Sequence, residues 1–380
     1  MTLAITVNNR HTRSVNLDRD KHAADFLNGY IPTSRALRTL EKVSGVLVKG
    51  VAQRSWSLVG PYGSGKSSFA LFVSHLLGLQ GDGKRAAFEL LGKGNPELRS
   101  ELESKAADCL VISVVGAPEP LAARLLSAMH VQALEFFNAR KGRNPKILVD
   151  ILEVLDSGEV SHADFLRLMR GLKADLKRCG VAGLVFIIDE LGKFLEYEVR
   201  HYGANDIYLL QSLAEESSAN DTFLLLNFVL LHQSMERYAK GLSETLKNEW
   251  GKIQGRFEEI PFLESAEQTL KIVGKVFNNS CSKVDNLKIV EQVNAVIGDE
   301  SFKDLLPSSL DKAGAESLFK NCYPLHPVTA LLLPHLCQKI AQNERTLFSY
   351  LGSREDFGVL AMLASLDPGE FVLPHHAFDY

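Results

Sequence analysis

Short runs of apolar residues alternate with longer amphipathic stretches through the middle of the chain, a pattern typical of an α/β sheet with helical crossovers. The apolar runs are nearly continuous in Val, Ile, Leu and Phe, as expected for parallel strands that are buried on both faces. They predict strands at Ser55 to Val59, Cys109 to Val115, Leu184 to Ile188 and Phe223 to Leu231, and a weaker one at Phe257 to Phe262.

Helical periodicity fills the gaps between these strands. It predicts helices at Ser67 to Leu77, Pro120 to Arg140, Asp206 to Ser217 and Glu267 to Asn278. From about residue 280 the strand signals fade and amphipathic helical segments replace them, notably at 315–322 and 328–341.

This change in pattern predicts two domains. An α/β core covers residues 1–279 and contains a helical insertion at about 144–176, and a helical lid domain covers residues 280–380. Residues 370–380 end without a helix cap or a polar tail, so we expect the sequence to be part of a longer protein.

Composition and charge narrow the classes of function. Apolar residues make up 46% of the 380 residues and charged residues 23%, which is ordinary for a globular protein with a sizeable core. The net charge of −4 gives no basic signature, so nucleic-acid binding would need a local basic patch.

No signal peptide or membrane-length apolar segment is visible, and the five cysteines lack paired spacing. We expect a cytoplasmic protein with reduced thiols and no membrane partner.

The residues from Gly60 to Ser67 read GPYGSGKS and match the phosphate-loop pattern G-x-x-x-x-G-K-[ST] in full. Backbone N–H groups of such a loop, together with the N-terminal end of the following helix, bind phosphate oxygens. Lys66 is expected to contact the β- and γ-phosphates, and the Ser67 hydroxyl to bind Mg²⁺. The predicted ATP contacts of the loop are Gly60, Pro61, Tyr62, Gly63, Ser64, Gly65, Lys66, Ser67 and Ser68.

A second motif is the apolar strand that ends in Asp189 and Glu190. Asp189 is expected to lie beside the Mg²⁺ ion, and Glu190 to orient or deprotonate the attacking water. A kinase acting on small molecules has no use for a water-activating glutamate. The pair therefore favours hydrolysis of ATP.

The strand that follows ends in Leu231-His232-Gln233-Ser234. In hydrolases with an extra central strand, a polar side chain at this strand end contacts the γ-phosphate. Gln233 and Ser234 are the candidates, with His232 behind them.

With these elements in order, the chain resembles the AAA+ superfamily, and within it the initiator-like branch and the large ATPases of prokaryotic anti-phage defence systems of the BREX type. The segment YIPT, which begins at Tyr30 and precedes a helix, resembles the part of initiator-like members that embraces the adenine. The segment DELGKFLE at 189–196 resembles the extended acidic-strand region of the defence ATPases.

Two further segments carry the resemblance. The segment GRFEEIPF at 255–262 resembles the last core strand, which places Arg256 in the position of an arginine finger that is catalytic in a neighbouring subunit. The segment NERTLFSYL at 343–351 resembles the lid helix, in which Arg345 would act as a second nucleotide sensor. The residues alone leave open a surface Arg256 paired with Glu258 or Glu259, and an Arg345 with no special role.

The resemblance implies a homo-oligomeric ATPase, a motor or assembly enzyme of anti-phage defence that acts on or with nucleic acid. Two alternatives stay open, a nucleotide-dependent switch or scaffold that gates an effector protein and a replication-initiator-like DNA loader. A local basic run with interleaved aromatic residues faces nucleic acid, forms a solvated helix face or contacts another subunit; it consists of Lys240, Lys247, Lys252 and Arg256.

Overall fold

The computed structural model describes residues 5–7, 15–20, 26–47, 54–105, 108–140, 144–201, 206–218, 222–238, 244–279, 283–306, 310–340, 347–367 and 369–379. Its strands are β1 (Ile5–Val7), β2 (Ser55–Val59), β3 (Cys109–Val115), β4 (Gly183–Asp189), β5 (Leu224–Leu231), β6 (Glu258–Pro261) and β7 (Phe277–Asn279).

Helices of the first 254 residues are α1 (Leu17–Asp20), α2 (Ser34–Val46), α3 (Lys66–Leu77), α4 (Asp82–Gly94), α5 (Pro96–Lys105), α6 (Leu121–Asn138), α7 (Ile147–Asp156), α8 (His162–Arg178), α9 (Leu191–Arg200), α10 (Asp206–Ser218), α11 (Met235–Tyr238) and α12 (Glu244–Gln254). The later helices are α13 (Ala266–Val276), α14 (Lys283–Gly298), α15 (Glu300–Lys303), α16 (Lys312–Asn321), α17 (Pro327–Ile340), α18 (Leu347–Gly352), α19 (Val359–Leu363) and α20 (Pro374–Asp379). None of the helices in this described part of the chain is both long and apolar enough to cross a membrane.

Five strands form a parallel sheet in the order β3-β4-β5-β2-β6. Strand β5 therefore lies between β2, which leads into the phosphate loop, and β4, which ends in Asp189. All five strands that the apolar runs predict are present, with bounds that differ by one residue at most. Strand β6, which has the weakest apolar pattern of the five, lies at the edge of the sheet. Proline has no N–H to donate, and an edge strand tolerates Pro261 because one side of the strand has no partner.

Helices cover both faces of this sheet, because alternate side chains of each strand point to opposite faces. On β4, Leu184, Phe186 and Ile188 pack with α6 to α10, whereas Val185 and Ile187 pack with α2 to α5. The near-continuous apolar runs follow from this two-sided burial.

The helices of the core that the pattern does not predict include α4, α5 and α9. Residues 82–105 form α4 and α5, which pack only a few apolar side chains and are otherwise charged. Helix α9 starts directly after the acidic pair and buries Phe194 and Leu195. Its N-cap Glu190 and its third residue Lys193 are described below.

The predicted helix Glu267 to Asn278 is too long at its C-terminal end. Helix α13 ends at Val276, and β7 pairs antiparallel with β1, with Phe277 opposite Val7 and Asn279 opposite Ile5. The partner strand lies about 270 residues earlier in the chain, so no local pattern could reveal this pairing.

A third apolar cluster contains the C-terminal helices. It includes Leu270 and Val273 of α13, as well as Ile5 of β1, together with residues of α14 and α16 to α20. This helical cluster thus begins ahead of the predicted boundary at residues 279–280 and also takes in the N-terminal strand. The division into domains remains a prediction.

Candidate functional site

The phosphate loop joins β2 to α3 at the carboxyl edge of the sheet. Gly60 N–H donates to the carbonyl of Leu231 at the end of β5 (3.1 Å), which ties the loop to the neighbouring strand. Gly65 is the N-cap of α3 with φ 86° and ψ 9°, a left-handed conformation that favours glycine. The first N–H groups of α3 therefore point back into the loop, where an anion is stabilised by the helix N-terminus.

Lys66 is almost fully buried and lies within this loop. Its ammonium donates to the carbonyl oxygens of Gly60 (2.5 Å) and Pro61 (2.8 Å) and approaches the Ser64 hydroxyl (3.3 Å). Burial lowers the pKa of Lys66 to about 8, although the negative charges of Asp189 and Glu190 act in the opposite direction. The lysine is thus held beside the two acids and titrates just above neutral pH.

This titration predicts a pH dependence of nucleotide binding. Above pH 8 the amine of the free protein is largely neutral, so binding of the phosphates must be accompanied by uptake of a proton at Lys66. We expect the affinity for a non-hydrolysable ATP analogue to be about tenfold weaker at pH 9 than at pH 7. Calorimetry in two buffers with different ionisation enthalpies measures the proton uptake. An affinity that stays constant to pH 9, with no proton taken up, contradicts this assignment.

Asp189 and Ser67 form a pair of hard oxygen donors next to the loop. Burial raises the pKa of Asp189, while a hydrogen bond from the Ser67 hydroxyl and one from the Glu190 backbone N–H (2.9 Å) lower it. A carboxylate and a hydroxyl in contact suit Mg²⁺, which binds few protein ligands and keeps several waters or phosphate oxygens. The donor set therefore fits the metal that the sequence predicts.

Glu190 follows Asp189 in an unusual backbone conformation. Its φ of 50° and ψ of 41° lie in the left-handed region, which costs a residue other than glycine roughly 1–2 kcal/mol. Such strain occurs most often at functional sites. The carboxylate forms an ion pair with Lys193, with 2.5 Å between Glu190 Oε2 and Lys193 Nζ. Sequence reasoning missed Lys193, although a lysine three residues after the acid on a helix is a recognisable signal.

The end of β5 presents His232 to the phosphate loop. The imidazole stacks on the Tyr62 ring, with 3.4 Å between centroids. Neither ring nitrogen has a hydrogen-bond partner among the residues that the structure describes. Burial, helped by the charges of Lys66 and Lys193, lowers the pKa of His232 to about 4, so the ring is neutral at physiological pH.

Gln233, one of the two predicted γ-phosphate contacts, has a different neighbour. Its side chain is hydrogen-bonded to the Tyr238 hydroxyl, which also contacts the backbone of His232. The side chain of this strand end that lies against the loop is thus His232, while Gln233 connects β5 to α11. Ser234 begins the turn into α11.

Tyr30 lies against the helix that follows the phosphate loop. Its ring packs on Phe72 of α3, with 5.0 Å between centroids, and stacks on Phe26 at 5.3 Å. Thr33 caps α2 and donates its hydroxyl hydrogen to Glu264. The contact of Tyr30 with adenine remains a prediction.

Arg256 lies apart from this cluster. In the parallel register Glu258 is beside Trp56 and Pro261 beside Val59, so Arg256 precedes the amino end of β6 and the loop follows the carboxyl end of β2. Its guanidinium pairs with Glu215 of α10 (2.7 Å) and donates to the Lys252 carbonyl (2.9 Å). Arg345 lies outside the described residues.

The fold is that of an α/β P-loop NTPase core, as the sequence predicts. A phosphate loop joins a buried parallel strand to a helix, a paired acid ends β4, and an additional strand separates the two. A helical region follows the sheet.

Comparison with known proteins identifies similar solved structures but no family to which the chain belongs. No family model matches the chain, and no curated protein matches it in sequence. Solved structures that match include the Aeropyrum pernix ORC2 protein in ADPNP–ADP complexes, with 12% identity and a TM-score of 0.40 over 81% of this chain and 72% of that chain. The ADP form of the same protein matches with 11% identity and a TM-score of 0.40 over 92% of this chain and 85% of that chain.

Proposed function

We propose that this protein binds ATP with Mg²⁺ and hydrolyses it to ADP and phosphate. The observation that carries the proposal is the convergence of Lys66, Asp189 and Glu190 at the carboxyl edge of the sheet, where both acids influence the lysine pKa. Parallel α/β sheets bind ligands at this edge.

Each group has a distinct role in this reaction. The loop N–H groups and Lys66 bind the β- and γ-phosphates and stabilise the charge that spreads over the transferring phosphoryl group. Ser67 and Asp189 would hold a Mg²⁺ ion, which would supply further charge neutralisation. Glu190 accepts the proton of the attacking water.

The experiment that tests this proposal separates the two acids. Glu190→Gln keeps the shape of the side chain but removes the base, so ATP should bind with nearly normal affinity and turnover should fall by about 10²- to 10⁴-fold. Asp189→Asn should instead weaken the part of ATP binding that depends on Mg²⁺. Binding is measured with a fluorescent ATP analogue and turnover by phosphate release.

Glu267→Gln is the matched control for this test. Like Glu190, Glu267 is a partly buried glutamate that forms an ion pair with a lysine of the same helix. It lies in the first turn of α13, outside the proposed site. Its loss should leave turnover unchanged. Normal hydrolysis by Glu190→Gln would show that Glu190 is not the base.

We further propose that the protein works as an oligomer in which Arg256 completes the site of a neighbouring subunit. The four residues of β6 alone span about 13 Å, so Arg256 cannot reach the phosphate loop of its own chain. The ion pair of Arg256 with Glu215 is half-exposed, and a pair of this kind contributes little to the free energy of unfolding.

What hydrolysis drives is proposed from the resemblance alone. We propose an assembly or motor ATPase of anti-phage defence that acts with nucleic acid, and as the alternative a nucleotide-dependent switch that gates an effector protein or an initiator-like DNA loader. Turnover measured with and without DNA, with particle size followed in parallel, separates them. Stimulation by DNA favours a motor or loader, and slow turnover with nucleotide-driven assembly favours a switch.

A further inference from the structure

The ion pair between Lys193 and Glu190 occupies the group that the proposed reaction needs as its base. Lys193 is the third residue of α9, and its ammonium lies 2.5 Å from Glu190 Oε2. The lysine side chain is 49% exposed and the glutamate 24%. A carboxylate oxygen that holds an ammonium at this distance cannot at the same time hold the attacking water in that direction.

The direction of the Glu190 side chain is set by this lysine and not by the helix. Glu190 is the N-cap of α9, a position at which a side-chain oxygen usually accepts a hydrogen bond from the first helical turn. It accepts none from the N–H groups of that turn, all of which the structure describes. Lys193 N–H bonds the Glu190 carbonyl (3.0 Å), so the backbone also fixes the spacing of the pair.

The neighbouring strand accommodates this arrangement. Gly116 follows β3, and its N–H donates to the Asp189 carbonyl (2.9 Å). A Cβ at Gly116 would overlap the Glu190 carbonyl group and crowd the Glu190 Cβ. Glycine at this position is therefore what allows the backbone of Glu190 to approach β3 so closely.

Lys193 also lies close enough to the phosphate loop for its charge to act on Tyr62 of the loop and on His232. Its charge lowers the pKa of His232 and opposes the rise in the pKa of Tyr62, the two rings that stack over the loop. In turn, the hydrogen bond to Glu190 raises the pKa of Lys193, so the lysine stays charged through neutral pH. A phosphate in the loop would be a second anion within reach of this lysine.

We propose that Lys193 restrains Glu190 in an unproductive ion pair, and that the γ-phosphate of bound ATP, by competing for the ammonium, releases the carboxylate in only part of the ATP-bound molecules. This inference rests on the proposed function, because it assumes that Glu190 is the base. It makes Lys193 a positioning residue that keeps the basal rate of hydrolysis low.

The size of the effect follows from the exposure of the pair. An ion pair with a half-exposed lysine is weak, and breaking it changes an equilibrium by a few-fold at most. At saturating ATP we expect Lys193→Met to hydrolyse about two- to fivefold faster than the wild type. Lys193→Arg, which restores the positive charge, should return the rate toward the wild-type value.

Dependence on ionic strength distinguishes this role from a merely structural one. Salt screens an exposed pair, so wild-type turnover should rise with ionic strength at saturating ATP, whereas turnover of Lys193→Met should not. The matched control is Lys271→Met on α13, whose lysine is 48% exposed and pairs with Glu267 at 2.5 Å. That variant should keep both the wild-type rate and its salt response.

Two outcomes overturn the proposal. One is a rate for Lys193→Met that equals or falls below the wild type while the protein is folded by thermal melting and binds ATP. Lys193→Gln serves in its place if the methionine variant does not fold. The other is a raised rate that persists in Lys193→Met combined with Glu190→Gln, which would show that the effect does not act through Glu190.

Failure of this proposal can be told apart from failure of the proposed function. If Glu190→Gln alone hydrolyses ATP normally, the proposed function fails. If Glu190→Gln is inactive and Lys193→Met is not faster than the wild type, only the restraint by Lys193 fails.

Discussion

Lys66→Ala is expected to reduce kcat/KM for ATP by about 10³-fold or more while the fold persists. The ammonium binds the phosphates in the ground state and stabilises the charge of the transferring group, and each contribution is worth about 10- to 10³-fold. No backbone amide of the loop can replace a full positive charge. Turnover by phosphate release and affinity by calorimetry measure the two contributions separately.

Lys84→Ala is the matched control for Lys66→Ala. Lys84 is as deeply buried, and it binds the Gly78 carbonyl (3.0 Å) and Asp108 (2.8 Å) away from the phosphate loop. Its loss should lower the melting temperature without changing the ATP affinity of the folded protein. Wild-type affinity and turnover in folded Lys66→Ala would remove the basis for the phosphate-loop assignment.

Arg256→Ala is expected to bind ATP almost normally and to hydrolyse it about 10³- to 10⁵-fold more slowly, the range that arginine fingers contribute. The guanidinium neutralises charge on the transferring phosphoryl group of a neighbouring subunit, so its loss affects the transition state more than the ground state. Arg170→Ala is the control, because Arg170 pairs with Glu216 on the same helix that supplies the partner of Arg256. That control should keep wild-type turnover.

Mixing two inactive variants tests whether Arg256 acts across a subunit boundary. Glu190→Gln subunits carry an intact Arg256, and Arg256→Ala subunits carry an intact Glu190. Mixed assemblies should therefore regain activity at interfaces that combine the two intact groups. If mixing restores nothing and the ATP-bound protein is a monomer by light scattering, Arg256 is only a surface residue and the oligomeric model is wrong.

The nucleotide site illustrates how far a local pattern reaches. Residues 60–67 form a contiguous motif in which a glycine permits the left-handed turn at position 65, so both the loop and its position before a helix were predictable. The strand that ends in Asp189 was equally clear, because burial on both faces makes it apolar at every position from Leu184 to Ile188.

The orientation of the individual side chains was not predictable in this way. The stacking of Tyr62 on His232 joins residues that are 170 positions apart, and it leaves Gln233 bonded to Tyr238. The pair between Glu190 and Lys193 is local in sequence, but it depends on a left-handed Glu190 that fits only beside Gly116. Each of these arrangements is selected by packing between distant segments.

The sequence by itself therefore predicted the five strands of the parallel sheet, about half of the helices around them and the residues proposed for the site, because periodicity and motif spacing reflect local backbone preferences and burial. Tertiary structure alone decided the pairing of β1 with β7, the separation of Arg256 from its own phosphate loop and the contact that restrains Glu190. These features depend on which distant segments gain the most free energy by packing together, and no window of neighbouring residues contains that information.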